Sequence, residues 1–393
     1  MAEPVNAERI DRVLSAAVAA GAAPGAVAVV ADRDGPVYTG SVGVADPATG
    51  RTMEPDALFR IASMTKMVNA VAVLQLCERG ALELDSPVAD LIPDFDRIQV
   101  LDGWDGDRPR LRRPAVRATV RHLLTHTSGL TYDVLHPELY RYIVTTGRPM
   151  PSSGLRRSLD TPMVTDPGSE WNYGMSTDWT GQVVEAASGQ PLDDYYRDHI
   201  FAPLGLRDIT FRPDQEQRRR LVPVAERTPD GFTRTAFEFP AEPEFLSAGH
   251  GLYATAGDYL AIQRALLAGG HLGATLLSPE SVAAMFRPQL GAIAVRDMRS
   301  QVAAFSADMH LPPGASWGLD VLVTTAATPG LRSTGSVGWW GTFNTFYWID
   351  PAAGLCAALY LQTLPFCDPA ALALAENFER AVYAGAADGR VAA

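Results

Sequence analysis

Ser63 and Lys66 are the residues of this chain whose types and spacing most directly suggest chemistry. Three residues is close to one helical turn, so on a helix the hydroxyl and the amine emerge on the same face, within reach of each other. A lysine placed there can take the serine proton and leave a nucleophilic oxygen without any histidine. Ser-x-x-Lys alone is a weak signal, because such pairs also occur on solvated helix faces.

Three further segments carry candidate chemistry. Pro167-Gly168-Ser169-Glu170-Trp171-Asn172-Tyr173-Gly174 sets a tyrosine after a turn and just ahead of a helix-patterned run starting near Thr177. His122 to Leu130 ends a helix in a small-residue loop. His122 and His126 have no metal-ligand companions there, and ordering that loop is a sufficient role for both. Gly335-Ser336-Val337-Gly338-Trp339-Trp340-Gly341-Thr342 puts glycines and two tryptophans ahead of a strand. One attractive motif fails. Gly314-Ala315-Ser316-Trp317-Gly318 matches a G-x-S-x-G nucleophile elbow, which must follow a strand, open a helix and precede its histidine. Here Pro312-Pro313 precedes Ser316, a strand-like run follows it, and all 7 histidines, the last being His310, lie before it.

The elements that must position these residues follow from apolar period and turn signals. Val5 to Ala20 has helical period. Ala26 to Ala31 and Val37 to Val44 read as strands joined by the turn Asp32-Arg33-Asp34-Gly35. Leu58 to Ile61 leads into the Ser63 helix, which stops near Gly80. The middle reads as short helices (Pro87 to Ile92, Val120 to Leu124, Thr177 to Ala187, Leu192 to Ile200) with few strands. Gly257 to Leu267 and Ser278 to Met285 are helical again. Trp317 to Thr324, Thr345 to Ile349 and Gly354 to Gln362 are strand candidates, and Pro369 to Ala384 closes the chain as a helix. Strand-rich ends around a helical middle predict an α/β fold, an α/β lobe whose sheet contains both termini with a mainly helical lobe inserted. The expected segments are 1–75 and 246–393 for the two parts of the α/β lobe and 76–245 for the helical lobe.

Length and composition fit that picture. The chain has 393 residues, 47% hydrophobic and 20% charged, enough for a large core. Its formal charge of −12 disfavours a polyanionic partner, so no nucleic acid is expected. Acidic neighbours make the stretch Arg108 to Arg121 and the run Arg218-Arg219-Arg220 solvated surface. The 3 cysteines (Cys77, Cys356, Cys367) have no metal-ligand spacing and suggest no disulfide framework. Val13 to Ala31 is apolar but lacks a basic leader, since Glu3, Glu8 and Asp11 precede it. No window is long and apolar enough to span a membrane, and a cytoplasmic protein is expected.

Taken in order, the Ser63, His122–Leu130, Tyr173 and Trp339 segments resemble the serine hydrolase family of class C β-lactamases, DD-peptidases and β-lactamase-like carboxylesterases (family VIII esterases). The resemblance runs from about Ile10 to Ala381 and includes Asp85-Ser86-Pro87-Val88 and Ile200 to Leu206. It implies a β-lactamase/transpeptidase-like fold with an antiparallel sheet flanked by helices. It also implies a cofactor-free and metal-free mechanism. Ser63 would attack an acyl carbon, Lys66 would accept its proton, and Tyr173 would share that proton and pass it to the leaving group. The backbone N–H groups of Ser63 and Thr342 would form the oxyanion hole. Trp339, Trp340, Gly341, Met175 and Tyr132 are the expected substrate-binding residues.

Two departures from the family pattern bear on substrate. Relatives that process β-lactams continue Tyr-x-Asn, whereas the third position here is Met175, which lacks the amide. They also carry Lys-Thr-Gly, where this chain has Trp339-Trp340-Gly341. The esterase branch commonly has Trp-Gly-Gly, so Trp340 replaces a glycine and should narrow the site or give it an aromatic wall. The expected function is a carboxylesterase acting on small to medium esters, with no membrane partner. Acyl transfer to an alcohol or amine is the nearest alternative. Behind it stand a weak β-lactamase or DD-peptidase and a non-catalytic binding domain on the same scaffold.

Overall fold

A computed structural model of the chain describes residues 5–388. Glu3 and the outer ends of the first and last expected segments lie outside the described residues. The central feature is an eight-stranded sheet, antiparallel throughout. Its order is Ala315–Trp317, Leu322–Thr324, Val337–Gly341, Thr345–Asp350, Leu355–Tyr360, Gly25–Asp32, Pro36–Asp46, Arg51–Thr52. An early strand therefore lies beside a late one, with Val29 opposite Ala358, so both ends of the chain build one sheet.

Alternation decides what each face meets. Ala26, Ala28 and Val30 join Phe346, Trp348, Ala357 and Leu359 in a core shared with helices Ala7–Ala19 and Pro369–Asp388. Asn6 starts the first of these helices by accepting the Arg9 N–H at 3.0 Å, and Ile10 and Leu14 are its buried face. Val27, Val29, Ala31, Tyr347 and Ala358 face the main core, which takes residues from all three sequence segments, from Val27 to Cys367. Helix Ala256–Leu267 packs on that side. The Gln263 amide donates to the Trp348 and Ala357 carbonyls, each at 3.0 Å, pinning helix to sheet.

Helix Thr65–Glu78 is buried all round, from Thr65 to Leu76. A helix apolar on every side belongs inside a protein, and this one runs between the sheet side and the helical middle. Asn69 donates to Thr180 Oγ1 (2.6 Å) and accepts from Tyr196 (2.7 Å), fixing the helix against Ser176–Ser188.

The structure corrects the sequence reading in three places. Val337–Gly341, read as a glycine-bearing approach to a strand, is itself a strand. Its Gly338 signals close backbone approach rather than a loop, since a Cβ there would meet the Tyr347 carbonyl. Trp317 to Thr324 is two strands around a tight turn at Gly318–Val321, not one. Between Val100–Asp105 and Arg108–Arg112 the expected helical middle contains a hairpin, which takes up part of the arginine-rich stretch. Arg112, Arg117 and Arg121 there pair with Asp166, Asp90 and Asp85. Among the described residues no helix is long and apolar enough to cross a membrane.

Candidate active site

The nucleophile turn is built on strain. Ala62, immediately before Ser63, holds φ +44°, a left-handed conformation that costs a residue with a Cβ about 1–3 kcal/mol. Four bonds hold it there. Thr65 Oγ1 donates to the Ala62 carbonyl (2.7 Å) and accepts the Leu252 N–H (3.2 Å). The Ile61 N–H donates to Leu252 (3.1 Å), and the Tyr259 hydroxyl donates to the Met64 carbonyl (2.9 Å). Ser63 thus sits in a single 3-10 turn ahead of the helix, with little freedom.

Lys66 lies one turn on, with no exposed surface. Its amine donates to the Gly249 carbonyl (2.8 Å), to the Tyr132 hydroxyl (3.2 Å) and to Ser63 Oγ (3.5 Å). An ammonium has three protons, and these are three acceptors. The same nitrogen is 4.9 Å from the ring centre of Tyr173 and 5.3 Å from that of Tyr132, so two aromatic faces also stabilise its positive charge. Burial, with Asp178 as the leading nearby charge, pushes the Tyr132 phenol well above its ordinary range, and it stays a neutral hydroxyl.

Tyr173 is buried, and its hydroxyl accepts the Trp339 indole N–H at 2.9 Å. Because the indole supplies that bond, the phenol proton is left free for another acceptor. Trp339 stands edge-on to Trp317 with ring centres 4.6 Å apart, which fixes the indole plane. Gly341 ends the same strand beside the Ser63 turn, and Thr342 opens the hairpin turn that follows: a Cβ on Gly341 would lie 2.5 Å from the Ile61 carbonyl. That closeness brings the Thr342 and Ser63 segments to one edge of the site, as two oxyanion donors require. Gly341→Ala is expected to push the strand end off the Ile61 turn and to lower kcat for an ester by about 100-fold. Steady-state kinetics alongside a melting curve separates this from unfolding.

Two expected substrate contacts are placed differently. Met175 is fully buried, and its sulfur accepts from Thr161 Oγ1 at 2.9 Å, so its side chain belongs to the core. Trp340 lies opposite Phe346 and Trp339 opposite Tyr347, but the half-buried Trp340 ring packs against both cores. The Trp340 indole stacks on Trp339 (5.5 Å between centres, 3° between planes), backing the wall instead of narrowing the site. Trp340→Gly is expected to cost about 2 kcal/mol of stability and to leave ester size preference unchanged. A melting curve and a chain-length series of esters check both parts.

Several neighbours carried no signal of their own in the sequence. Asp178 accepts from Ser247 Oγ (2.5 Å) and from the Gly249 N–H (3.0 Å), and so anchors the turn whose carbonyl holds Lys66. The sole hint was the run of small residues from Ser247 to Gly251, far from Ser63 in sequence. His122 acts as a helix cap: its Nδ1 accepts the Thr119 N–H, while Thr119 Oγ1 accepts the His122 N–H, both at 3.2 Å. Ser316 lies in the edge strand Ala315–Trp317, opposite Val323, and no helix follows it, as an elbow would need.

Comparison with known proteins agrees with this architecture. The sequence profile of the family described as Beta-lactamase matches residues 10–379. Monacolin J acid methylbutanoyltransferase of Aspergillus terreus is 35% identical over 346 residues, covering 84% of this chain and 83% of that protein. Esterase EstB of Burkholderia gladioli is 33% identical over 386 residues, covering 91% and 90%. Among solved structures, unliganded simvastatin synthase from Aspergillus terreus superposes with a TM-score of 0.82 at 31% identity, covering 95% of this chain and 97% of that one. With an antiparallel-sheet fold of the β-lactamase/transpeptidase type and relatives that are both esterases and acyltransferases, this chain belongs to the beta-lactamase family and is a serine enzyme of its acyl-transferring kind.

Proposed function

We propose that this protein is a carboxylesterase that cleaves small to medium, neutral, apolar esters through an acyl-enzyme on Ser63. The observation that carries the reading is the buried Lys66 amine, whose donors converge on Ser63, Tyr132 and Gly249. For this step Lys66 is the neutral amine, with its two N–H bonds on Gly249 and Tyr132, and its lone pair takes the Ser63 proton as the oxygen adds to the ester carbonyl. The backbone N–H groups of Ser63 and Thr342 receive the developing oxyanion, a stabilisation commonly worth about two to three powers of ten per donor. Tyr173, oriented by Trp339, hands a proton to the departing alkoxide and recovers one from the Lys66 ammonium, which returns to the neutral amine. Water then repeats the sequence on the acyl-enzyme.

Apolar substrates are favoured by the walls. Trp339 stands where β-lactam-processing relatives keep a lysine, and the site lacks the amide that those relatives carry at the third position of the tyrosine motif, where Met175 turns into the core. Transfer of the acyl group to an alcohol is a second reading, favoured by the methylbutanoyltransferase at 35% identity. Both share one acyl-enzyme and differ in its acceptor.

A panel of short, long and bulky p-nitrophenyl esters plus a chromogenic cephalosporin tests the proposal, run with and without an added alcohol. Ester turnover with cephalosporin at least about 1,000-fold slower in kcat/KM is expected. Efficient cephalosporin turnover would overturn the ester reading, and ester product formed in preference to free acid would favour transfer.

A further inference from the structure

Two buried, oppositely chargeable side chains outside the steps above meet behind Tyr173. His126 and Asp320 both have no exposed surface, and His126 Nε2 is 3.1 Å from Asp320 Oδ1. Each also holds a left-handed backbone, φ +55° for His126 and +57° for Asp320. An apolar pair would fill the same volume without desolvating polar groups. Packing alone therefore leaves the choice of residues unexplained.

The bonds around His126 converge on Tyr173. The Asn172 N–H donates to the His126 carbonyl at 2.7 Å, and the Gly174 N–H donates to His126 Nδ1 at 3.3 Å. One histidine thus holds the residues on both sides of Tyr173. Its ring lies against the Tyr173 ring, 4.7 Å between centres, opposing the hold of Trp339 on the phenol. Asp320 is tied in turn to both flanking elements. Its N–H donates to the Leu124 carbonyl (2.9 Å), and its Oδ1 accepts from Thr177 (3.1 Å), which opens the helix after the tyrosine motif.

We propose that His126, packed beside Asp320, is a positioning residue that clamps the backbone on both sides of Tyr173 and so sets where its hydroxyl stands. The proposal rests on the acyl-enzyme reading above, in which Tyr173 carries a proton. The clamp works in one tautomer. A backbone donor on Nδ1 leaves the ring proton on Nε2, toward Asp320. A second ring proton would confront the Gly174 N–H. Burial first, and the positive charge of Lys66 next, push the His126 pKa well below its ordinary range, with Asp178 opposing, so the ring stays a neutral acceptor.

Two substitutions separate clamp from filler. His126→Asn keeps an acceptor near the Nδ1 position and tolerates a left-handed backbone. His126→Leu supplies neither. For a p-nitrophenyl ester His126→Leu is expected to lose about 100-fold in kcat, the scale of a misplaced catalytic group, with KM within about 3-fold. His126→Asn should recover at least about tenfold of that loss. Rates are normalised to the fraction of protein labelled on Ser63 by a fluorophosphonate. Equal losses in the two folded variants, or unchanged kcat in His126→Leu, would overturn the clamp. Should His126→Leu fail to fold, a 100-fold kcat loss in folded His126→Asn does the same. Absent labelling and turnover in the wild type would instead overturn the acyl-enzyme reading. The crystal structure of His126→Asn then still decides, since the clamp requires Gly174 bonded to the new side chain and Trp339 Nε1 on the Tyr173 hydroxyl. Loss of the Gly174 bond with Tyr173 unmoved would overturn it.

Discussion

Ser63→Ala is expected to lower turnover of a p-nitrophenyl ester by about four to six powers of ten, the range seen when a serine nucleophile is removed. The cause is direct: among the described residues no other hydroxyl is hydrogen-bonded to Lys66 except Tyr132, whose phenol burial keeps neutral. Lys66→Arg should lose nearly as much. A guanidinium keeps the charge but does not deprotonate, and its planar fork does not fit three acceptors arranged for an ammonium. Ser316→Ala is the control, expected to keep activity within about twofold, because surface substitutions away from the site change little. Steady-state kinetics and mass mapping of a fluorophosphonate adduct check all three. Adduct recovered on Ser316, or a Ser63→Ala protein with more than a thousandth of wild-type activity, would sink the assignment.

Tyr173→Phe is expected to cost about two to four powers of ten in kcat, the usual range for a general acid or base. The Lys66→Arg, Tyr173→Phe double variant should be little worse than the more damaged single one, because groups that move one proton together are non-additive. The structure adds a second comparison. Lys66 bonds to the Tyr132 hydroxyl and sits over the face of Tyr173, so the two tyrosines have separable roles. Tyr132→Phe removes one acceptor of the ammonium and should cost about tenfold, a single hydrogen bond to a charged group. A Tyr132→Phe loss exceeding that of Tyr173→Phe would transfer the proton-carrying role to Tyr132. Losses that simply multiply in the double variant would rule out a shared unit.

Much of this arrangement was legible along the chain, for a local reason. Ser63 and Lys66 are three residues apart, the first in the turn that opens the helix carrying the second, and Tyr173 stands just ahead of another helix, so period and turn chemistry alone place them on known elements. The helix Val120–Leu124 and a sheet built from both ends of the chain likewise follow from apolar period and turn residues, whereas the antiparallel order was implied by the family resemblance. The Val337–Gly341 strand hid because its glycines, read locally, resemble a loop. Only the neighbouring Tyr347 and Ile61 carbonyls explain why no Cβ fits.

What tertiary structure alone decided is which groups face the reacting pair. The Trp340 ring stacks on that of Trp339, and Met175 turns into the core. The acceptor of Lys66 comes from Gly249, 183 residues away, and the partner of His126 from Asp320, 194 away. No sequence period encodes such pairings, because they arise where separate elements pack and a buried donor must find whatever acceptor that packing brings within reach.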